Sequence, residues 1–398
     1  MMKKVALVTC YFQYNYGSML QAYATQKICE EWGVHCETIN IAGIKASIEK
    51  KKTKYYLKQV NNPQIITGVI LRIGKRLFYK KIFRNTLGKN FEIRDGKFRE
   101  FINKNFILSS SYASREELTE ACKNYSTVLV GSDQLWLPSN IDADHYTLTW
   151  VPDDINKVAY ATSFGTSYLP ISLQSKTKDF LLRFDHISVR EESGKKMIYD
   201  YAGLDVPVVC DPTLLFTAEN WMCIQRDERL IREKYVLCYF LGNNTGDRGF
   251  AKRLREKTGH KIVALLHLDE YIKTDSNYAD YIPFDIGPGE LLNLIRNAEY
   301  IVTDSFHGTL FSILYRKIFF ASRRIKSKGI LNTNSRLDSL FNLLGVEGRI
   351  ITGFENIDEC LARNIDYDVV HDKVATVRNS SKRYLRSALN MDQGKKYD

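Results

Sequence analysis

The chain has 398 residues, 44% of them hydrophobic and 26% charged, the balance of a soluble globular protein long enough for two cores. No apolar run is long enough to cross a bilayer. The eight cysteines are scattered without a CxxC, which predicts reduced thiols and a cytoplasmic setting, and argues against a disulfide framework or a zinc site. The net charge of +11 is concentrated: residues 45–99 hold 16 Lys and Arg against Glu49, Glu92 and Asp95, while the remainder carries 41 basic and 43 acidic residues.

Strand-like and helix-like segments alternate, the pattern of parallel α/β domains. The opening MMKKVALVTC has too short an apolar stretch for a signal peptide and reads as a first buried strand, KVALVTC (4–10). A helix from Gly17 to Trp32, stopped by Gly33, and a strand HCETINI (35–41) follow. The basic insertion, about 45–105, comes next. Ser114 and Glu117 form a capping box for a helix ending near Tyr125. TVLVGSD (127–133), VAYATSFG (158–165), HISVRE (186–191) and VPVVCDP (206–212) are short β-rich runs.

The pattern then restarts. KYVLCYFLG (234–242) and KIVALLH (261–267) read as strands around a helix near 247–257, and Pro288 opens a helix to about Asn297. EYIVTDS, a helical segment after His307, the strand KIFFAS (317–322) and the helix SRLDSLFNLLG (335–345) complete the unit, and 355–398 reads as helical and charged. The expected architecture is therefore α/β: two doubly wound, Rossmann-like domains facing a cleft. We expect them to span 1–215 and 216–398, the last helices packing back on the first domain.

Ligands of such domains bind at the carboxyl ends of strands, and the candidate residues stand there. His307 follows the strand of EYIVTDSFHGTLF, and the Gly308, Thr309 and Leu310 amides beside Ser305 predict an anion site at a helix start. Gly308 would also let a ligand approach the backbone closely. Arg190 ends HISVRE, where an ion pair with Glu191 or Glu192 is the plainer account of it. Ser132 and Asp133 close TVLVGSD; Asp133 could accept a proton or orient a hydroxyl, and a capped turn explains both residues equally well. Asn15, Gly17 and Ser18 could form a backbone nest for an anion or sugar. GxGxxG, Walker A, GxSxG and HExxH motifs are absent, so no metal is expected.

Five ordered segments, NYGSMLQAYA, VLVGSDQLW, SVREESG, VVCDPTLLF and TDSFHGTLFSI, resemble the polysaccharide pyruvyl transferase family over nearly the whole chain. The resemblance implies a GT-B-like fold and transfer of the enolpyruvyl skeleton of phosphoenolpyruvate (PEP) to a sugar. The usual product is a cyclic ketal on two hydroxyls, with phosphate released. It implies that His307 is the catalytic histidine and that Arg190 binds PEP. Arg336, in SRLDSLFNLLG, stands where relatives often carry a lysine. No cofactor beyond the PEP donor is implied, and the acceptor would be a sugar or a lipid-linked oligosaccharide.

Two other readings compete. A GT-B nucleotide-sugar glycosyltransferase would share the cleft and the helix-start phosphate site. A non-catalytic binding protein would use the basic segment, where Ile66, Ile70, Ile73 and Leu77 recur at helical spacing among cations, with Tyr55, Tyr56, Phe78 and Tyr79 suited to an interface. That pattern fits either an ordinary helix covering the core with its cations solvated or peripheral contact of 45–99 with the inner face of a membrane. Nucleic acid is not expected, because no recognition motif accompanies the charge.

Overall fold

The computed structural model describes residues 3–58, 87–266, 272, 275, 277–324 and 335–391. The first sheet is built from β1 (Lys4–Val8), β2 (His35–Asn40), β3 (Leu108–Ser111), β4 (Thr127–Asp133), β5 (Asn156–Thr162) and β6 (His186–Val189). All the strands are parallel, in the order β3-β2-β1-β4-β5-β6. The second sheet holds β7 (Tyr235–Tyr239), β8 (Lys261–Leu265), β9 (Tyr300–Thr303), β10 (Ile318–Ser322) and β11 (Ile350–Ile351), parallel in the order β11-β10-β9-β7-β8. Helices cover both faces, which explains why β4 reads TVLV and β7 reads YVLCY without alternation: a strand buried on two sides has no polar face.

The two orders are the two common doubly wound topologies, and each has one point where the winding reverses. In the first sheet that point lies between β1 and β4, and in the second between β7 and β9. The chain leaving β1 enters α1 (Tyr16–Glu31), and the chain leaving β9 enters α10 (Phe306–Leu314), so each switch point opens on a helix start.

The helices between are α2 (Lys45–Lys58), α3 (Leu87–Asn105), α4 (Arg115–Ala121), α5 (Pro138–Ala143), α6 (Ile171–Leu181), α7 (Glu192–Ala202), α8 (Thr245–Thr258) and α9 (Pro288–Asn297). After α10 come α11 (Ser335–Leu344), α12 (Ile357–Ala362) and α13 (Tyr367–Ala388). One hydrophobic cluster runs across both units, joining Tyr16, Met19 and Phe98 to Tyr239, Leu291 and Phe311. Tyr16 meets Tyr239 edge-on at 5.8 Å, and its hydroxyl donates to the Ile286 carbonyl at 2.8 Å. Helix α13 returns to the first unit: Ser381 Oγ accepts from the Cys210 amide, Asn156 Nδ2 donates to Ala388 O, and Arg378 donates to the Leu214 and Phe216 carbonyls.

The segment VPVVCDP, expected as a further β-rich run of the first unit, makes only a single bridge, Val189 to Val208, before a 3₁₀ turn over Pro212–Leu215. Pro207 and Pro212 cannot donate ladder hydrogen bonds, and the run passes from sheet to turn within four residues.

The basic insertion divides. Of the residues behind its membrane reading, Ile66, Ile70, Arg72, Ile73, Lys75, Arg76, Leu77, Phe78, Tyr79, Lys80, Lys81 and Arg84 lie outside the described residues. Tyr55 packs against the first core, and Tyr56 donates to Ser139 Oγ at 3.2 Å, so both aromatics hold α2 onto the domain. Helix α3 bridges the two units. Its Arg94 is buried, donates to the Leu266 carbonyl at 3.2 Å and lies over the Phe91 and Phe284 rings.

Candidate active site

The two switch points face each other, and the residues that close them form one polar cluster. Asn15 caps α1: its Oδ1 accepts from the Gly17 amide at 3.0 Å and the Ser18 amide at 3.2 Å. Ser18 Oγ donates to Asp133 Oδ2 at 2.7 Å, joining the first turn of α1 to the end of β4. Gln21 reinforces the same corner by donating to Thr9 Oγ1 and accepting from the Ser132 amide. A Cβ on Gly17 would overlap the His307 ring at Nδ1, so the glycine is what lets the histidine of the second unit lean on the first.

Arg190 stands between two carboxylates. Its Nη1 donates to Asp211 Oδ2 at 2.7 Å and its Nη2 to Asp133 Oδ1 at 2.9 Å, with its side chain 1% exposed. Glu191 Oε2 is further off, 3.7 Å from Nε, and burial pushes the Glu191 carboxyl up despite Arg190. The ion-pair account of Arg190 is therefore realised with Asp133 and Asp211 more than with its sequence neighbours. Glu192 opens α7 and faces outward.

Burial would raise the Asp133 carboxyl, but Arg190, His307, Arg336 and the Ser18 hydroxyl hold it well below the usual carboxylate range. Asp211 is held low in the same way, against its burial, by His307, Arg190 and the Thr213 amide. Both groups are thus fixed as carboxylates, and Asp133 is unsuited to donating a proton.

His307 is the second residue of α10, 7% exposed, with Nε2 at 3.5 Å from Asp211 Oδ2 and no hydrogen-bond partner. Arg336, on α11, reaches the same place: its Nη1 is 3.6 Å from Asp133 Oδ1, and its Nε is buried without a partner. Both guanidiniums lie beside the Phe306 ring, at 5.1 Å for Arg190 and 5.3 Å for Arg336. Burial and the Arg190 charge pull Arg336 down to about 9, with Asp133 and Glu191 compensating only in part. An added negative charge beside a buried guanidinium in that condition would relieve it.

Several expected contacts turn out to be structural. Ser305 is the N-cap of α10, and its Oγ already accepts from the Gly308 amide at 3.2 Å. Thr309 is fully buried, with its amide and hydroxyl both bonded to the Ser305 carbonyl. Gly308 is small because Thr303 Oγ1 and Tyr239 crowd it. The first-turn donors left on α10 are the amides of Phe306 and His307. Ser132 is fully buried, its Oγ donating to the Ala161 carbonyl at 2.7 Å, and it does not reach the cleft. The Asn15 cap likewise consumes the amides expected to form a nest. Ser18, His307, Asp133, Arg190 and Arg336 come together; Asp211 joins them unforeseen, although its motif VVCDP was already conspicuous.

Among the described residues no group of His, Cys, Asp or Glu is arranged to hold a metal ion. No described helix is long and apolar enough to cross a membrane. The family described as polysaccharide pyruvyl transferase matches residues 15–322. No curated protein matches the chain by sequence. Among solved structures, the fold is similar to UDP-N-acetylglucosamine 2-epimerase from Rickettsia bellii, with a TM-score of 0.51, 11% identity and 98% of each chain covered. It is similar to the S. aureus MnaA-UDP structure, with a TM-score of 0.50, 11% identity and 98% of each chain covered. The glycosyltransferase SnogD from Streptomyces nogalater matches at a TM-score of 0.47 and 9% identity over 98% of this chain and 99% of that one. The fold is GT-B.

The Arg190 bridge gives a test that needs no substrate. Arg190→Ala removes the guanidinium that two buried carboxylates share, and we expect a loss of about 3–5 kcal/mol in unfolding free energy. Both aspartates have folded-state pKa values below their unfolded range of about 4. The stability they contribute is therefore present above that range and lost as pH falls through the folded values. Without the guanidinium those values rise, so acid unfolding of Arg190→Ala, followed by circular dichroism, begins at a higher pH than in the wild type. An unchanged acid midpoint would show that Arg190 does not hold the pair.

Proposed function

The chain belongs to the polysaccharide pyruvyl transferase family, and we propose that it moves the pyruvyl skeleton of PEP onto sugar hydroxyls of a surface-polysaccharide or exopolysaccharide precursor, with release of phosphate. The observation that carries this reading is the placement of His307. A buried imidazole whose Nε2 has no hydrogen bond and lies 3.5 Å from Asp211 sits at a helix start, in the same cluster as Arg336, whose Nε has no hydrogen-bond partner, at the meeting of two switch points. PEP brings a phosphate, a carboxylate and a carbon to be protonated, and those three needs match a helix N-terminus, a guanidinium and a histidine.

In the proposed reaction His307 delivers a proton to the methylene C3 of PEP, leaving an oxocarbenium-like C2. One sugar hydroxyl adds at C2, and its proton replaces the one the histidine gave up. The bond between C2 and the phosphate oxygen then breaks, and a second hydroxyl closes the ketal as its proton leaves with the phosphate. Asp133, fixed as a carboxylate and tied to Ser18, accepts a hydrogen bond from an acceptor hydroxyl and orients it. Arg190 has each terminal nitrogen bonded to a carboxylate, so in our reading it chiefly frames the site and offers PEP its Nε and the second N–H of each terminal nitrogen.

The nucleotide-sugar alternative gains nothing from the UDP named in the structural neighbours, since similarity at 11% identity speaks for the fold alone. Thermal unfolding with PEP and with a panel of nucleotide sugars separates the readings. A ligand at 100 times its Kd stabilises the folded state by about 2.7 kcal/mol. We expect PEP to raise Tm and UDP-sugars to leave it unchanged; the reverse result would transfer the site to a glycosyltransferase.

His307→Gln keeps a donor of similar reach but no transferable proton. Turnover should drop by roughly 10²–10⁴-fold, with PEP binding retained in part. Near-normal turnover of His307→Gln would remove the ring from the chemistry. Gly17→Ala tests the same group from the other side of the cleft. Its methyl occupies the ring's place, so turnover should fall toward the His307→Gln level while Tm stays near wild type. Full activity in Gly17→Ala would show that the ring does not need this seat.

A further inference from the structure

The charge of the cluster is unevenly distributed between the two units. Around Arg190 the first unit sets Asp133 and Asp211, both held as carboxylates, so that group carries no positive surplus. The surplus needed to hold an anion must come from the second unit. Arg336 is one source, and a second is Arg324, two residues beyond β10.

Three observations place Arg324 in the site. Its aliphatic stem lies on the loop after β7: a Cβ on Gly242 would be 2.9 Å from Arg324 Cγ and 2.7 Å from Asp304 Oδ2. Asp304 accepts from the Leu241 amide at 2.6 Å and the Gly242 amide at 2.7 Å, tying that loop to the residue just before the Ser305 cap. The stem therefore rests at the β7/β9 switch point itself. Secondly, Arg324 Nε is buried without a hydrogen-bond partner, as are Arg336 Nε and His307 Nε2. Thirdly, its charge is felt by Arg336, which it disfavours, and by Tyr239 beneath the α10 start. Two like charges in partial burial repel, and a shared dianion between them removes the repulsion.

We propose that Arg324 is a donor-binding residue of this site, holding the phosphate group together with the Phe306 and His307 amides at the start of α10, while Arg336 serves the neighbouring carboxylate. This rests on the PEP reading for the identity of the dianion. The stem of Arg324 packs on the glycine loop, which fixes its direction, and a guanidinium is planar and bidentate toward phosphate oxygens.

Calorimetric titration of the full chain with PEP, and separately with inorganic phosphate, tests both layers. Wild type should bind both, and Arg324→Gln should weaken each by roughly 10- to 100-fold, with its melting temperature unchanged in the absence of ligand. Arg324→Lys, which keeps the charge and loses the fork, should fall between them. Wild-type binding of phosphate but not PEP would sink the PEP reading and leave Arg324 judged by the phosphate titration. Unaltered affinity of Arg324→Gln for both anions, or a wild type that binds neither, would overturn the assignment. If Arg324→Gln fails to fold, the Lys variant decides, since wild-type affinity there removes the bidentate role.

Discussion

Taking a carboxylate out of water costs several kcal/mol unless a cation is buried with it, and here one guanidinium serves two carboxylates. Arg190 draws Asp133 from the end of β4 and Asp211 from the cap of the 3₁₀ turn after α7 to the same point, at 2.9 and 2.7 Å. The rest of the site is arranged around that bridge. Asp211 lies at ion-pair distance from His307, and Asp133 lies near Arg336 and is bonded to Ser18. Such a buried network adds little net stability over an apolar core, but it strongly disfavours arrangements in which any member lacks its partner. Its effect is to fix where the histidine and Arg336 stand.

That placement requires the two units to be docked. The switch point of the first sheet supplies Gly17, Ser18 and Asp133, and that of the second supplies Asp304 and His307, so neither unit holds the cluster alone. The docking is correspondingly extensive. Tyr16 and Phe98 share one apolar cluster with Tyr239 and Phe311, α3 reaches across through Arg94, and α13 returns to the first unit. Two domains joined by a polar hinge would open easily. Here opening would expose part of a continuous core, which disfavours separating His307 from Gly17.

How much of this could be read beforehand follows from the physics of each signal. The sheets were legible because strands buried on both faces form unbroken apolar runs, as in VLV before Gly131 and YIV before Thr303. His307 was legible from its position alone, since strand ends at switch points are where side chains converge. The polar residues around it are ambiguous in sequence for a shared reason. Asn15, Ser305 and Gly308 are the types that build anion nests, and they are also the types that cap helices and admit close packing. Sequence does not say which use a given amide is put to; the bonds to Gly17, Ser18 and Gly308 do. Asp211 and Arg324 were missed because their roles arise from contacts 21 residues and two strands away, respectively, and an isolated acid or arginine near a strand end reads as surface charge.

The fixed charges also divide the labour of the proposed reaction between the units. A carboxylate held ionised by Arg190 and Arg336 can accept hydrogen bonds but has no proton to give, so Asp133 can face a hydroxyl and cannot acidify a carbon. His307, across the cleft, has a ring nitrogen without a hydrogen bond and can both hold and release a proton. Anion-binding donors lie on the side of α10 and α11, and acceptors lie on the side of β4. A phosphorylated donor and a polyhydroxylated acceptor entering such a cleft are sorted by charge: the dianion is repelled from Asp133 and Asp211 and drawn to Arg336, while neutral hydroxyls lose nothing by approaching the carboxylates. The reacting carbon is then held where the two sides meet, which is where His307 stands.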